Sequence, residues 1–172
     1  MPTQPTTFNI RFLDEIVFSG LRNRLEETRQ PTIEGATAAL ETFYHALNER
    51  SLELFRQIWL DHPLIQLNNP VGGIRRGIEP VSAVYARLFE GPVRVRVEFY
   101  DIVEYASSEV VVFAGRERGT YERDGEAHPL DIRTSRIFLY VPAQRGWRQI
   151  HHHGSIDQAE HLAQYQQAVL GS

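Results

Sequence analysis

The sequence predicts a single α+β domain in which helices come first and a curved antiparallel sheet follows. Three observations carry this. Between residues 32 and 90 the apolar residues recur mainly at helical spacing, whereas from Val93 onward they alternate with polar ones over long runs. Helices and strands segregated along a chain argue for α+β and against α/β construction. A length of 172 residues with 42% hydrophobic and 23% charged content suits one domain, with a core that needs neither disulfide nor metal.

Residues 1–31 read as an appended arm. Phe12, Leu13, Ile16, Val17 and Leu21, with Leu25 beyond, have the spacing of an amphipathic helix, weakened at Ser19-Gly20 and ended at Pro31. Such an arm docks on its own domain or on a partner subunit, or stays frayed. Thr32 is then placed to cap a helix carrying Ala36, Leu40, Phe43, Tyr44 and Leu47 on one stripe. Ser51 starts a second, short helix through Leu54, Phe55, Ile58 and Trp59. Leu64 to Leu67 reads as a short strand and Asn68 to Gly73 as a turn. Gly77 precedes a third helix with Pro80 in its first turn and Val81, Val84, Tyr85 and Leu88 inward.

Val93, Val95, Val97 and Phe99 alternate with Arg94, Arg96, Glu98 and Tyr100, the period of a half-buried strand. Glu109 to Tyr121, Leu130 to Val141 and Trp147 to Ile156 complete a four-stranded meander, with a hairpin turn at Arg123-Asp124-Gly125-Glu126. Asp157 can cap a last helix over 157–172. The expected division is an arm over 1–31, a domain over 32–156 and the terminal helix.

Composition removes whole classes of chemistry. A net charge of -4 gives no basic footprint for nucleic acid. No apolar run approaches the roughly 20 residues that span a bilayer. Met1-Pro2-Thr3-Gln4-Pro5 lacks the basic-then-apolar order of a secretory signal, so a cytoplasmic protein is expected. There is no cysteine, and all 18 basic residues are arginine. Thiolate nucleophiles, thiolate metal sites and lysine Schiff bases, including a pyridoxal phosphate linkage, are thereby excluded for this chain. Gly72-Gly73 alone is a turn and no glycine-rich phosphate loop is present. The expectation is a cofactor-free protein.

Three groups of residues can carry chemistry. In a regular strand His151 and His153 share a face with Trp147 and Gln149, and His152 points to the other. A His-x-His pair can present two imidazoles to a metal, with Glu117, Asp131 or His128 as a third ligand; the alternative is a hydrogen-bonded pair that orders the strand. Arg136 shares a face with Ile132, Phe138 and Tyr140, and a guanidinium in an apolar pocket needs a carboxylate partner or an anionic ligand. Arg116 and Arg118 share one phase and can join it; Glu117, Asp131 or Glu122 can instead pair it. Acid–base work needs a carboxylate or imidazole in a dry pocket, for which Asp61, His62, Asp101 and Asp131 are candidates, with Tyr44, Tyr85 or Tyr121 as donors. Trp59, Tyr85 and Asn68 are candidate pocket linings beside Arg116 and Arg136.

Trp147-Arg148-Gln149-Ile150-His151-His152-His153-Gly154-Ser155 resembles the "W-x-x-V-H-x-H-x-S" last strand of SnoaL-like domains and of the calcium/calmodulin-dependent kinase type II association domain. Thr134-Ser135-Arg136-Ile137-Phe138 resembles the "E-T-R-V-W" strand of the latter, which places Arg136 on its pocket arginine. Leu67-Asn68 to Gly77 resembles the family's first hairpin. The similarity covers residues 32–156 and implies the cystatin-like, nuclear transport factor 2-like cone. It also implies that the His pair needs no metal, and that the convex sheet face, helped by Ile102 and Ile150, joins two copies into a homodimer. Ketosteroid isomerase and the SnoaL cyclases, which share this fold, use an aspartate or histidine for proton transfer.

The expected function is therefore a small-molecule pocket for a partly apolar, carboxylate-bearing compound, with cofactor-free isomerase, cyclase or dehydratase chemistry by Asp61, His62, His151 or His153. The alternatives are an oligomerisation module and a metal-dependent enzyme using the His-x-His pair. Nucleic acid and membrane are not expected partners.

Overall fold

A computed structural model describes residues 7–171. The chain runs β1 (Asn9–Leu13), α1 (Ile33–Asn48), α2 (Leu52–Ile58), β2 (Gln66–Asn68), β3 (Arg75–Arg76), α3 (Ile78–Glu90), β4 (Arg94–Ala106), β5 (Val110–Arg123), β6 (Glu126–Val141), β7 (Gly146–Ser155) and α4 (Ala159–Leu170). Short 3-10 turns occupy Leu25–Arg29 and Pro142–Gln144.

The helices start where side chains can replace missing backbone partners. Thr32 Oγ1 accepts from the Gly35 amide and Ser51 Oγ from the Leu54 amide, capping α1 and α2. α1 is buried along nearly its whole length, with Ala36, Ala39, Leu40, Phe43, Tyr44 and Leu47 against the sheet. Its approach to β7 depends on Gly35: a Cβ there would stand 2.9 Å from the Trp147 ring and 2.2 Å from the Gln30 carbonyl.

The seven strands form one mixed sheet in the order β1-β4-β5-β6-β7-β2-β3. The meander β4 to β7 is antiparallel as the alternation predicts, and Asp124 and Gly125, both at positive φ, make its tight central hairpin. β2 joins the far edge parallel to β7, and β3 pairs with β2.

The amino-terminal segment departs from expectation. Where the spacing of Phe12 to Leu21 predicts a helix, Asn9–Leu13 is a strand paired with Leu13 opposite Ile102 and Asn9 opposite Ala106. The reason lies in β4. Glu104 is fully buried there, and Arg11 Nε and Nη2 reach its two carboxylate oxygens at 2.8 and 3.2 Å. An open sheet edge and an unpaired buried carboxylate both gain from a strand at this place, which outweighs a weak helical pattern. Residues 1–6 lie outside the described residues.

Two bulges set which side chains face the helices. Between Tyr100 and Val103 the β4–β5 register shifts, with Asp101 at φ 54°. Ile102, expected on the convex face, therefore turns inward and is wholly buried. In β7, Phe138 pairs with Gln149 and Ile137 with His151, so Ile150 is the extra residue. Everything after it changes face. No helix among the described residues is long and apolar enough to cross a membrane.

Candidate functional site

The inner face of β5, β6 and β7 brings a group of polar side chains under α1. Arg136 is 1% exposed and Glu117 3%. Arg136 Nη2 donates to Glu117 Oε1 at 2.7 Å, Nε to the Tyr44 phenol oxygen at 3.0 Å, and Nη1 to Gln149 Oε1 at 3.3 Å. The Tyr44 hydroxyl donates to the same Glu117 oxygen at 2.6 Å. The guanidinium carbon sits 3.7 Å above the centre of the Phe43 ring. Of the two readings open for Arg136, the structure shows the carboxylate partner, and it is Glu117.

Electrostatics keep this group in one protonation pattern. Burial works against the charge on Arg136, but Tyr44, Glu117 and Tyr85 together outweigh it and hold the guanidinium charged. Burial is the main cause that pushes the phenols of Tyr44 and Tyr85 up, so both remain donors. His152 stands opposite Arg136 in the β6–β7 ladder and is buried. Its imidazole is pushed well below the ordinary value, first by burial and then by Arg136, and it is neutral at pH 7.

Several neighbouring polar atoms have no hydrogen-bond partner among the described residues. They are both ring nitrogens of His152, Gln149 Nε2, Thr134 Oγ1, Trp59 Nε1 and Ser82 Oγ; Asn68 Oδ1 is also unpartnered, but Asn68 lies opposite His153 in the β2–β7 ladder, in phase with the outer face. Gln149 touches Arg136, His152 faces it across the ladder, and Thr134 lies two residues along the same face of β6. Buried polar atoms are ordinarily paired, and each orphan costs about 1–3 kcal/mol.

The other expected site residues lie elsewhere. The β7 bulge reverses the histidines: His152 faces inward with Trp147 and Gln149, while His151 and His153 face outward. Burial, and then His153, lowers the His151 imidazole. Arg116 and Arg118 lie on the outer face, paired with Asp101 and Glu98, because inward and outward positions alternate along β5 and Glu117 takes the inward one. They do not join Arg136. Asp61 is exposed, its amide donating to Gln144 Oε1. His62 is exposed too; its Nδ1 accepts from the Leu64 amide, and with His151 it lines an outer groove of about 480 Å³ floored by Ile137, Leu139 and Ile150. Asp101 and Asp131 are at the surface. Trp59 and Tyr85 are where the helix pattern puts them, buried between helices and sheet, with Tyr85 4.0 Å from Phe55 between ring centres.

Glu117 facing inward and His153 facing outward cannot share a metal. Among the described residues no group of three His, Cys, Asp or Glu side chains is gathered to hold one. His152 was missed as a site residue because only the bulge puts it inside, whereas Gln149 lies before the bulge, on the face it shares with Trp147. Glu117 was legible as one possible partner of Arg136, and Tyr44 as a donor within a pocket; that Tyr44 accepts from Arg136 and donates to Glu117 was not.

Residues 36–158 match the sequence profile of the SnoaL-like domain. No curated protein matches the chain. Among solved structures it is similar to a protein from Thiobacillus denitrificans named for the calcium/calmodulin-dependent protein kinase type II association domain, at 23% identity and TM-score 0.57, covering 71% of this chain and 94% of that one. A nuclear transport factor 2-like superfamily protein from Salmonella enterica gives 18% identity and TM-score 0.62, covering 71% and 88%. A ketosteroid isomerase-like protein from Erwinia carotovora atroseptica gives 17% and 0.60, covering 71% and 93%. At these identities the likeness is one of fold. With the profile spanning well over half of its length, the chain belongs to the SnoaL-like domain family and has the nuclear transport factor 2-like α+β fold.

Proposed function

We propose that the protein binds a small, partly apolar molecule carrying a neutral carbonyl group, between α1, α3 and the inner sheet face. The orphaned Gln149 Nε2 beside Arg136 carries this reading, since a buried amide donor without a partner asks for an acceptor. A carbonyl suits the site better than the carboxylate expected from sequence. Glu117 already neutralises Arg136, so a second carboxylate would enter against an uncompensated negative charge.

The same group can move a proton. Neutral His152 has a lone pair free to take a proton from the carbon next to the guest's carbonyl. Gln149 Nε2, with Trp59 Nε1 on the adjacent segment, would hold the oxygen as negative charge develops. That is isomerase- or dehydratase-type chemistry, and the fold likeness to a ketosteroid isomerase-like protein supports it. Calorimetric titration with acetophenone and with benzoate checks the reading. Acetophenone is expected to bind at least 10-fold more tightly, and Gln149→Leu to abolish the difference; equal binding of the two, or preference for benzoate, sinks it.

A second reading, association of two copies through the outer sheet face, rests on exposed apolar surface. Phe8, Ile10 and Phe12 are 60%, 59% and 56% exposed. Ile10 and Phe12 pair with Tyr105 and Val103, and this outward row continues through Val112 and Ile137 to Ile150. Light scattering is expected to give a dimer that Ile10→Glu with Phe12→Glu converts to monomer; an unchanged mass removes this face from the argument.

A further inference from the structure

The outer sheet face is not flat at its β7–β2 end. After α2 the chain turns back over it. The Leu60 amide donates to the Gln149 carbonyl at 3.0 Å, and Gln144 holds the Asp61 carbonyl and amide at 3.1 and 3.0 Å. Residues 60–65 thereby stand as a wall beside β6 and β7. Leu60, Leu64 and Ile65 on the wall, with Ile137, Leu139 and Ile150 on the floor, line the groove of about 480 Å³ between them. All six are aliphatic. Leu64 is 72% exposed, so a guest that covers it gains apolar burial. The bulge in β7 puts both Ile150 and His151 in this lining, since neighbours in a regular strand face opposite ways.

The polar part of the lining is His62, Gln66 and His151, and their hydrogen bonds decide where each imidazole proton sits. Arg76 Nε can only donate, and it does so to Gln66 Oε1 at 3.0 Å. Gln66 Nε2 is thereby turned toward His151 Nε2, a long contact of 3.5 Å that leaves the His151 proton on Nδ1. His62 Nδ1 accepts from the Leu64 amide at 3.1 Å, which places the proton of that ring on Nε2. Neither N–H has a partner among the described residues. None of the described residues that line the groove is a carboxylate.

Two unpaired N–H donors over an aliphatic floor, backed by the Arg76 guanidinium, suit an anionic head with an apolar tail. We propose that this groove binds a medium-chain aliphatic carboxylate, with one oxygen on His62 Nε2, the other on His151 Nδ1, and the chain laid along Ile137, Leu139 and Leu64. The site lies on the opposite face of the sheet from Arg136 and does not depend on the carbonyl reading of the interior.

Calorimetric titration of the full chain with octanoate tests this. Octanoate is expected to bind about 10-fold or more tightly than butyrate, whose chain covers less of the floor, and than octan-1-ol, which lacks the carboxylate. Affinity equal to that of either control overturns the proposal. His62→Leu and His151→Leu keep apolar bulk at outward positions and are each expected to weaken octanoate about fivefold or more. Gln149→Leu, on the inner face, is expected to leave octanoate unchanged; an equal loss there overturns the assignment to the groove. Imidazole NMR gives a readout that a merely structural role would not move. It is expected to show His62 protonated on Nε2 and His151 on Nδ1, with both N–H protons shifted downfield by octanoate. The opposite tautomers, or no shift at either ring, overturn the proposal. A second copy of the chain is the competing occupant. If octanoate binds only after Ile10→Glu with Phe12→Glu has produced a monomer, the groove belongs to the dimer and the proposal falls.

Discussion

Glu117→Gln is expected to destabilise the protein by about 3–5 kcal/mol, read from the urea midpoint at constant slope. Glutamine keeps an oxygen that can accept from Tyr44 and Arg136, so the hydrogen-bond geometry survives. What is lost is the negative charge. Arg136, 1% exposed and held charged at neutral pH, is then left as an uncompensated cation among Phe43, Tyr44 and Tyr85. A typical domain has only about 5–15 kcal/mol in total, so this is a large share. The matching double variant, Glu117→Leu with Arg136→Met, removes both charges and is expected to regain most of the loss. If the single variant costs less than about 1 kcal/mol, the pair is not desolvated as its burial indicates.

The second large effect is acid sensitivity through His152. Its imidazole lies well below the ordinary value in the folded chain, whereas in the unfolded chain it titrates near 6.5. Above that pH both states are neutral at this group and it contributes no pH dependence. As pH falls through 6.5 the unfolded chain takes up a proton that the folded chain refuses, and stability drops by about 1.4 kcal/mol per pH unit. His152→Leu removes this term. The difference between wild type and variant is therefore expected to shift by about 2 kcal/mol in the variant's favour between pH 7 and pH 5. His151, also lowered, remains in both proteins and cancels in the comparison. Parallel pH profiles would show that His152 is reached by water in the folded state.

Both effects come from residues that read differently in sequence and in space. Arg136 and Glu117 sit at positions whose strand phase is visible, because an unbroken alternation from Val110 to Arg123 and from Leu130 to Phe138 leaves each residue one possible face. An arginine phased with Ile132 and Phe138, if that face is the inner one, needs a carboxylate partner or an anionic ligand. That the partner is Glu117, and not Asp131 or Glu122, follows from which side of β5 faces α1, and no local pattern contains that.

The histidines show the limit more sharply. The extra residue Ile150 inverts every face after it, so the His151 and His153 pair expected inside lies outside and His152 takes the interior place. A bulge has no composition signature in Trp147 to Ser155; it exists because β7 must match β6 on one side and β2 on the other. In β4 a trace was visible, since the inward apolar positions pass from Phe99 to Ile102, three residues apart where strict alternation allows two or four.

The sequence by itself determined the α+β class, the curved sheet behind amino-terminal helices, the exclusion of thiolate and lysine chemistry, and the shared phase of Arg136 with Ile132 and Phe138. These depend on periodicity and residue type, which are local properties of the chain. Only the tertiary structure decided that β1 completes the sheet where a helix was expected, that Glu117 neutralises Arg136, that His152 faces inward, and that Tyr165 packs on Tyr121. Each of these is a pairing between residues distant in the chain, settled by burial of charge and by strand register, and neither quantity exists until the elements pack.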